Sequence, residues 1–355
     1  QGAIYNPIIA QAQALTAAGG TPSALETDLL QVADTPTLQA QFNQLMPDYA
    51  GGVFDFVTRG SRLAAQHVQD DSSLFTISNV GGWFEPIYFH GGKQTTGTAG
   101  FSDHGFGLSG GLERVTGIGN VGLSLTWISG KVNTSSYQSV KTSNLEVGAF
   151  WRMAKGPFYA FARVGGSRLS ATSARTFTGA VSGTSFNYTA AGKWKGWMIT
   201  GSGGASYGFD VGGNFQLRPK AIVEYYRLHE NAYDETGSAP IILEVAGRNS
   251  SALTGTTTLV ASWSSGPSSY EGRPFTVEVE GGRRNQLSGH LGTTLANFTD
   301  GNQFALTPDS LKSAWLGKVS ILQGGLDYTW RLTGGAERAQ GVVDYSIRAS
   351  LSIAL

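Results

Sequence analysis

The chain contains no cysteine, so neither a disulfide nor a thiolate metal site is open to it. Charge is scarce: Asp, Glu, Lys and Arg make up 14% of the residues, against a usual ~25%. The 25 basic and 25 acidic side chains cancel to a net charge of zero, which gives no general attraction to nucleic acid. No apolar run of ~18 residues occurs, which argues against a membrane-spanning helix. No secretory leader opens the chain and Gln1 is not an initiator, so removal of an upstream piece is expected. The histidines His67, His90, His104, His229 and His290 never stand in an H-x-x-x-H or H-E-x-x-H spacing, so no metal is expected. No G-x-S-x-G opens a helix. "GGLERVTGIGN" lacks the helix that a phosphate loop needs. Asp103-His104 and His229-Glu230 read as solvated pairs at strand ends, and no catalytic residue or cofactor is expected.

What is present is glycine, 50 residues or about twice its usual ~7% share, and 11% aromatics. That mixture fits a large β protein, and a barrel in an outer membrane most of all. The period of the apolar residues divides the chain near residue 75. Residues 1–73 read as helical and polar. Thr21-Pro22 and Thr35-Pro36 each pair an N-cap residue with Pro at the first helical position. Met46-Pro47 restricts Met46 to extended conformations and opens a third segment. There Val53, Phe56, Val57, Leu63, Ala64 and Val68 recur at roughly helical spacing, weakened by Gly51, Gly52 and Gly60. A small helical bundle is one reading. The narrow apolar stripe favours the other, a helix housed inside something larger.

From about residue 80 the period falls to 2. Val343, Tyr345, Ile347, Ala349, Leu351 and Ile353 alternate with Asp344, Ser346, Arg348, Ser350 and Ser352. Leu145, Val147, Ala149 and Trp151 alternate likewise with Asn144, Glu146 and Arg152, and Val277 and Val279 with Glu278 and Glu280. Many runs approach the ~9–11 residues of a tilted membrane strand, and Trp151, Phe215, Tyr225, Trp127 and Trp263 suit interface girdles. A soluble sandwich could not bury the Gly/Ser/Arg/Glu face. Short links (116–120, 154–157, 210–214, 323–325) alternate with longer ones (92–101, 133–139, 173–193, 231–247, 285–310), predicting short periplasmic turns and long outer loops. Twelve strands result, approximately 80–91, 102–115, 119–132, 139–153, 158–171, 194–209, 215–230, 250–264, 273–284, 310–322, 326–333 and 342–355. The parity assigns an inward, pore-lining face to Glu146, Arg152, Arg218, Lys220, Glu224, Glu278, Glu280, Lys312, Lys318, Asp327, Arg331, Asp344 and Arg348.

At this point the chain resembles the C-terminal translocator of the autotransporter (type V secretion) family. "FNQLMPDYAGGVFDFVTRGSRLAAQHV" (42–68) resembles the stretch and helix that precede its barrel, and "GGWFEPIYF" (81–89) its Trp-led first strand. Residues 215–263 resemble its aromatic-ended strand, Tyr-x-Glu-x-Gly and small polar strand. The resemblance implies an all-β membrane protein, a 12-stranded antiparallel transmembrane β-barrel in the bacterial outer membrane, residues 74–355. A helical segment, residues 1–73, would thread the pore. It also implies an N-terminal passenger, own or removed, together with outer-membrane lipids and the barrel-assembly machinery as partners. Residues 47–69 as a helix would be ~34 Å long, enough for a ~30 Å hydrocarbon layer. Its Arg59, Arg62 and Gln66 would meet the lumen carboxylates. The family's chains usually end in Phe or Trp, whereas this one ends in Leu355, and no Asn-Asn pair appears in the helix. A passenger-less barrel acting as a porin or as a component of an assembly with other envelope proteins is the alternative reading. An outer-membrane hydrolase is the third.

Overall fold

A computed structural model describes residues 24–32, 34–71, 79–96, 98–266, 273–298 and 303–355. The expected boundary at Thr21-Pro22 and the start of the first helical segment lie outside the described residues.

Alternation of apolar and polar residues builds twelve antiparallel strands. They are β1 Val80–Lys93, β2 Phe101–Thr116, β3 Gly119–Asn133, β4 Gln138–Lys155, β5 Phe158–Val181 and β6 Thr184–Tyr207. Then follow β7 Phe215–Glu230, β8 Arg248–Ser264, β9 Arg273–His290, β10 Ala314–Gly324, β11 Tyr328–Ala339 and β12 Val342–Ala354. Each pairs with the next, and β12 returns to β1 (Phe84 opposite Leu351, His90 opposite Tyr345), so the sheet closes. Closure removes every free edge, which is what allows a sheet to sit in lipid. Both ends of the strand series lie at one end of the barrel with the turns 117–118, 156–157 and 325–327; this is the inner end. The opposite, outer end carries the long connections.

The exterior is apolar without a covering layer. Phe84, Leu112, Leu123, Leu125, Val147, Val164, Ile199, Val223, Leu259, Val279, Val319 and Ile347 are all exposed, while the residues between them along the strands face inward. No described helix is long and apolar enough to cross a membrane; the strands are what cross it.

Besides β9, which runs on to His290 rather than ending at 284, three expectations need correction. Residues 173–193 are not a loop. β5 and β6 each run 24 residues and meet at Ser182-Gly183, both at positive φ (51° and 80°), as a type I′ hairpin requires. The run "TSARTFTGAVSGTSFNYTA" is polar on both faces, but its Thr, Phe and Tyr residues favour strand over coil. Second, β10 begins at Ala314 rather than 310, after the polar stretch containing Pro308. Third, β11 is displaced outward, Tyr328–Ala339, and turns tightly at Gln340-Gly341.

Among the described residues three helices precede the barrel: α1 Ala24–Gln31, α2 Thr35–Leu45 and α3 Gly52–Gln69. The cap of α2 is Asp34, whose side chain accepts from the Thr37 N–H at 2.9 Å, not Thr35; Pro36 sits in the first turn as expected. Those hydrogen bonds hold the Asp34 carboxyl below its ordinary range. Met46 is extended before Pro47, again as expected. α3 starts at Gly52, because Gly51 takes φ 87° and breaks the helix there. Its 18 residues make a rod of about 27 Å.

Helices α1 and α2 lie across the outer end. Leu25, Leu29, Phe42, Leu45 and Met46 pack with Phe177 of the β5–β6 extension. They also pack on a small four-stranded sheet formed by Tyr233–Asp234, Leu243–Val245, Thr294–Phe298 and Phe304–Leu306. Arg175 pins this cap from the barrel side. It is fully buried, is paired with Glu235, and donates to the backbone carbonyls of Leu45 (2.8 Å) and Ile241.

Candidate functional site: the helix-filled lumen

Helix α3 occupies the barrel interior. Its start lies against Phe101 and Val132 near the outer end, and its end reaches Lys220 and Arg348 in the inner half. One flank, with Val53, Phe56, Val57 and Ala64, packs on Ile87, Phe89, Ile128 and Val132 of β1–β3. Two glycine choices set how closely. A Cβ on Gly60 would come within 2.3 Å of Ile128 Cδ1, so the helix rests directly on the wall. Gly105 and Gly130, cross-strand partners, leave the notch that Phe56 and Phe89 fill at 5.2 Å between ring centroids. The glycine that lowers helix propensity in the sequence is therefore a packing device. Gly60→Val should cost about 1–3 kcal/mol through overpacking. Thermal unfolding in detergent checks this; an unchanged midpoint would mean α3 does not sit against β3.

The other flank is ionic. Arg59 binds Asp103 at 2.8 Å and Asp344 at 2.9 Å, besides Asp55 one helical turn back. Arg62 reaches Glu224 at 3.2 Å, and Gln69 reaches the same carboxylate at 3.4 Å. At the end of the helix Asp70 collects Arg348 (3.0 Å), Lys220 (3.3 Å) and Arg331 (3.6 Å), while Asp71 meets Arg218 at 2.6 Å. The last helical carbonyls are satisfied from the wall: Arg152 donates to the His67 carbonyl at 3.2 Å and the Tyr159 hydroxyl to that of Val68. His67 stacks on Trp83 with centroids 4.3 Å apart.

Of the expected inward residues, the following are buried or half-buried within the barrel. Arg152 pairs with Glu113, Arg218 and Arg331 with Glu278, Lys318 and Lys220 with Glu280, Arg348 with Glu85, and Asp344 with Arg59. Glu146 is inward but pairs with Arg163 of the wall, not with the helix. Gln66 faces a residual cavity of about 80 Å³ bordered also by Arg62, Glu224, Glu280 and Lys318. Two assignments fail. Lys312 is exposed in the segment before β10, where its ammonium meets Ser310, so strand parity does not apply to it. Asp327 is exposed in the inner turn before β11 for the same reason. The reading of Asp103 and Glu230 as solvated is also overturned. Asp103 is fully buried against Arg59, and Glu230 is buried between Arg248 and Trp194. Parity alone places both inward, while the neighbouring His104 and His229 face outward.

The strand carboxylates Glu85, Asp103, Glu113, Glu146, Glu224, Glu230, Glu278, Glu280, Glu337 and Asp344 all turn inward. At the outer mouth, burial pushes the Asp48 carboxyl above its ordinary range, although Arg248 beside it at 2.9 Å pulls the other way. Hydrogen bonds from Lys93, Thr96 and Thr98 hold Asp309 below its ordinary range and tie two outer loops together.

A closed twelve-stranded barrel with a lipid-type exterior and a charged lumen filled by its own N-terminal helix defines a class of outer-membrane protein. The family model of the autotransporter beta-domain matches residues 82–337. The chain belongs to the autotransporter β-domain family, and its place is the bacterial outer membrane. Among solved structures it is similar to the translocator domain of the autotransporter NalP from Neisseria meningitidis (TM-score 0.65, 14% identity, covering 86% of this chain and 100% of that one). It is similar also to the β-domain of the Bordetella autotransporter BrkA (TM-score 0.51, 13% identity, 78% and 100%). The transport unit of AIDA-I from Escherichia coli is a further likeness (TM-score 0.50, 12% identity, 86% and 99%). No curated protein matches.

Proposed function

We propose that the barrel, residues 74–355, supports export of an N-terminal passenger across the outer membrane, and that residues 1–73 are the linker and pore helix left in place afterwards. The observation that carries this reading is the direction of α3. Its start lies at the outer mouth beside Phe101 and Val132, and its end lies in the inner half beside Lys220 and Arg348. Chain upstream of α3 therefore emerges on the outer side, where α1 and α2 already rest. The lumen side chains Glu146, Arg152, Arg218, Lys220, Glu224, Glu278, Glu280, Lys318, Arg331, Asp344 and Arg348 line the path, and Arg59, Arg62 and Gln66 present the helix to them. Both signs of charge are present, so the path disfavours neither acidic nor basic chain and is weakly ion-selective when open. Outer-membrane lipids surround the barrel, and insertion by the barrel-assembly machinery follows from the same reading. The porin alternative is weakened by the helix, which fills the lumen so closely that the cavity it borders at Arg62 and Gln66 holds about 80 Å³.

An epitope fused upstream of residue 1 tests the export reading in intact cells. Export predicts that externally added antibody and protease reach the epitope. An epitope reached only after the outer membrane is permeabilised would overturn it.

A further inference from the structure

The strand carboxylates all face the lumen, and the outward face is sorted the opposite way. On five consecutive strands the first charged residue beyond the apolar band, towards the outer end, is basic. Lys131 stands four residues beyond Trp127 on β3, Lys141 four beyond Leu145 on β4 and Arg168 four beyond Val164 on β5. Lys195 stands two beyond Trp197 on β6, and Arg227 two beyond Tyr225 on β7. Among the described residues none of the five forms an ion pair. Lys131 and Lys141 are direct cross-strand partners, a position in which like charges repel. An arrangement of this kind is relieved by an anion from outside.

Height and shape say which anion. From Trp151 at the inner edge of β4 to Lys141 is about ten residues, which at ~3.4 Å each and ~40° tilt is ~26 Å, the thickness of the apolar band. The cations therefore stand where lipid headgroups begin. Five strands at ~4.8 Å spacing give an arc ~19 Å wide, much broader than one phosphate ion. Directly inward of the Lys131–Lys141 pair, the outer wall of β3 and β4 is apolar, with Leu125, Trp127, Leu145 and Val147 all exposed. A molecule with a phosphorylated head and acyl tails matches both parts at once.

We propose that the outer ends of β3–β7 form a binding surface for phosphorylated glycolipid of the outer leaflet. Lys131, Lys141 and Lys195 hold its phosphates, and the exposed apolar wall below them packs against its acyl chains. Long lysine stems lie along the apolar wall while the ammonium groups reach the headgroup layer.

The test uses the full chain refolded in detergent and titrated with bisphosphorylated lipid A, following thermal unfolding by gel mobility. The unfolding midpoint should rise with added lipid. The K131Q/K141Q/K195Q variant should need at least about tenfold more lipid for the same rise. The single variant K141Q, with only one charge removed, should show a smaller shift in the same direction. Dephosphorylated lipid A and inorganic phosphate should each leave the midpoint where it was. An equal response of wild type and both variants would overturn the proposal. So would an equal rise with dephosphorylated lipid, which would leave the apolar wall without the cations, or with inorganic phosphate, which would leave an ion site without a lipid.

Discussion

Arg59→Ala should loosen the pore helix from the wall at a cost of about 3–5 kcal/mol, the range for breaking a buried ion pair by removing one partner. Against a typical total of ~5–15 kcal/mol this is a large loss. The reason is local. The guanidinium stands among Asp55, Asp103 and Asp344, and without it three carboxylates from α3, β2 and β12 face one another in an enclosed space. Truncating Asp103 and Asp344 to Asn in the same chain removes most of that repulsion, so the triple variant should recover most of the loss. Protease digestion of the folded barrel in detergent reads the outcome. Cleavage within residues 46–71 should accelerate in Arg59→Ala and slow again in the triple variant. Equal protection of Arg59→Ala and wild type would show that the ion cluster does not hold the helix.

The second large effect separates neighbouring residues on one strand. Ile347 is exposed on the lipid face of β12, while Ser346 borders the lumen cavity close to Glu280 and Glu337. Arginine at a lipid-facing position near the midplane costs about 2–4 kcal/mol. The same residue one step along the strand points the other way, into a polar space lined by charges of both signs, Glu280 and Glu337 beside Lys318 and Arg284. Ile347→Arg should therefore impair folding into lipid vesicles, and Val147→Arg likewise, whereas Ser346→Arg should fold nearly as wild type does. Glu146→Arg, although on the inward face, is not a mild change. Arg163 is its buried partner, and the change would set two guanidinium groups together. Equal damage from Ile347→Arg and Ser346→Arg would contradict the barrel register.

Much of this architecture is legible in the chain because a closed barrel has one rule, alternation, applied everywhere. The rule found β3, β7 and β8 nearly to the residue. It failed where both faces are polar, as in the upper halves of β5 and β6, since a strand that has left the membrane no longer needs an apolar side. It also failed where the parity continues into coil, which placed Lys312 and Asp327 in a lumen they do not reach. The helix was harder still. Its glycines read as breakers until Gly60 is seen against Ile128, and its start reads as Pro47 rather than Gly52 because nothing in a helical pattern marks the positive φ of Gly51. Asp70, which gathers Arg348, Lys220 and Arg331, was missed altogether. It lies one residue past the helix, and its partners come from three distant strands. Neither fact is visible in a linear pattern.

The central claim is that α3 closes the barrel from within. Single-channel recording in planar bilayers tests it most directly, by comparing the full chain with one lacking residues 1–69. Asp70 and Asp71 stay in the shorter chain, so that Arg218, Lys220, Arg331 and Arg348 keep their carboxylates. The account predicts small or intermittent conductance for the full chain and a large, steady and weakly ion-selective conductance for the shortened one. Equal conductance of the two, with both shown folded by gel mobility, would contradict it.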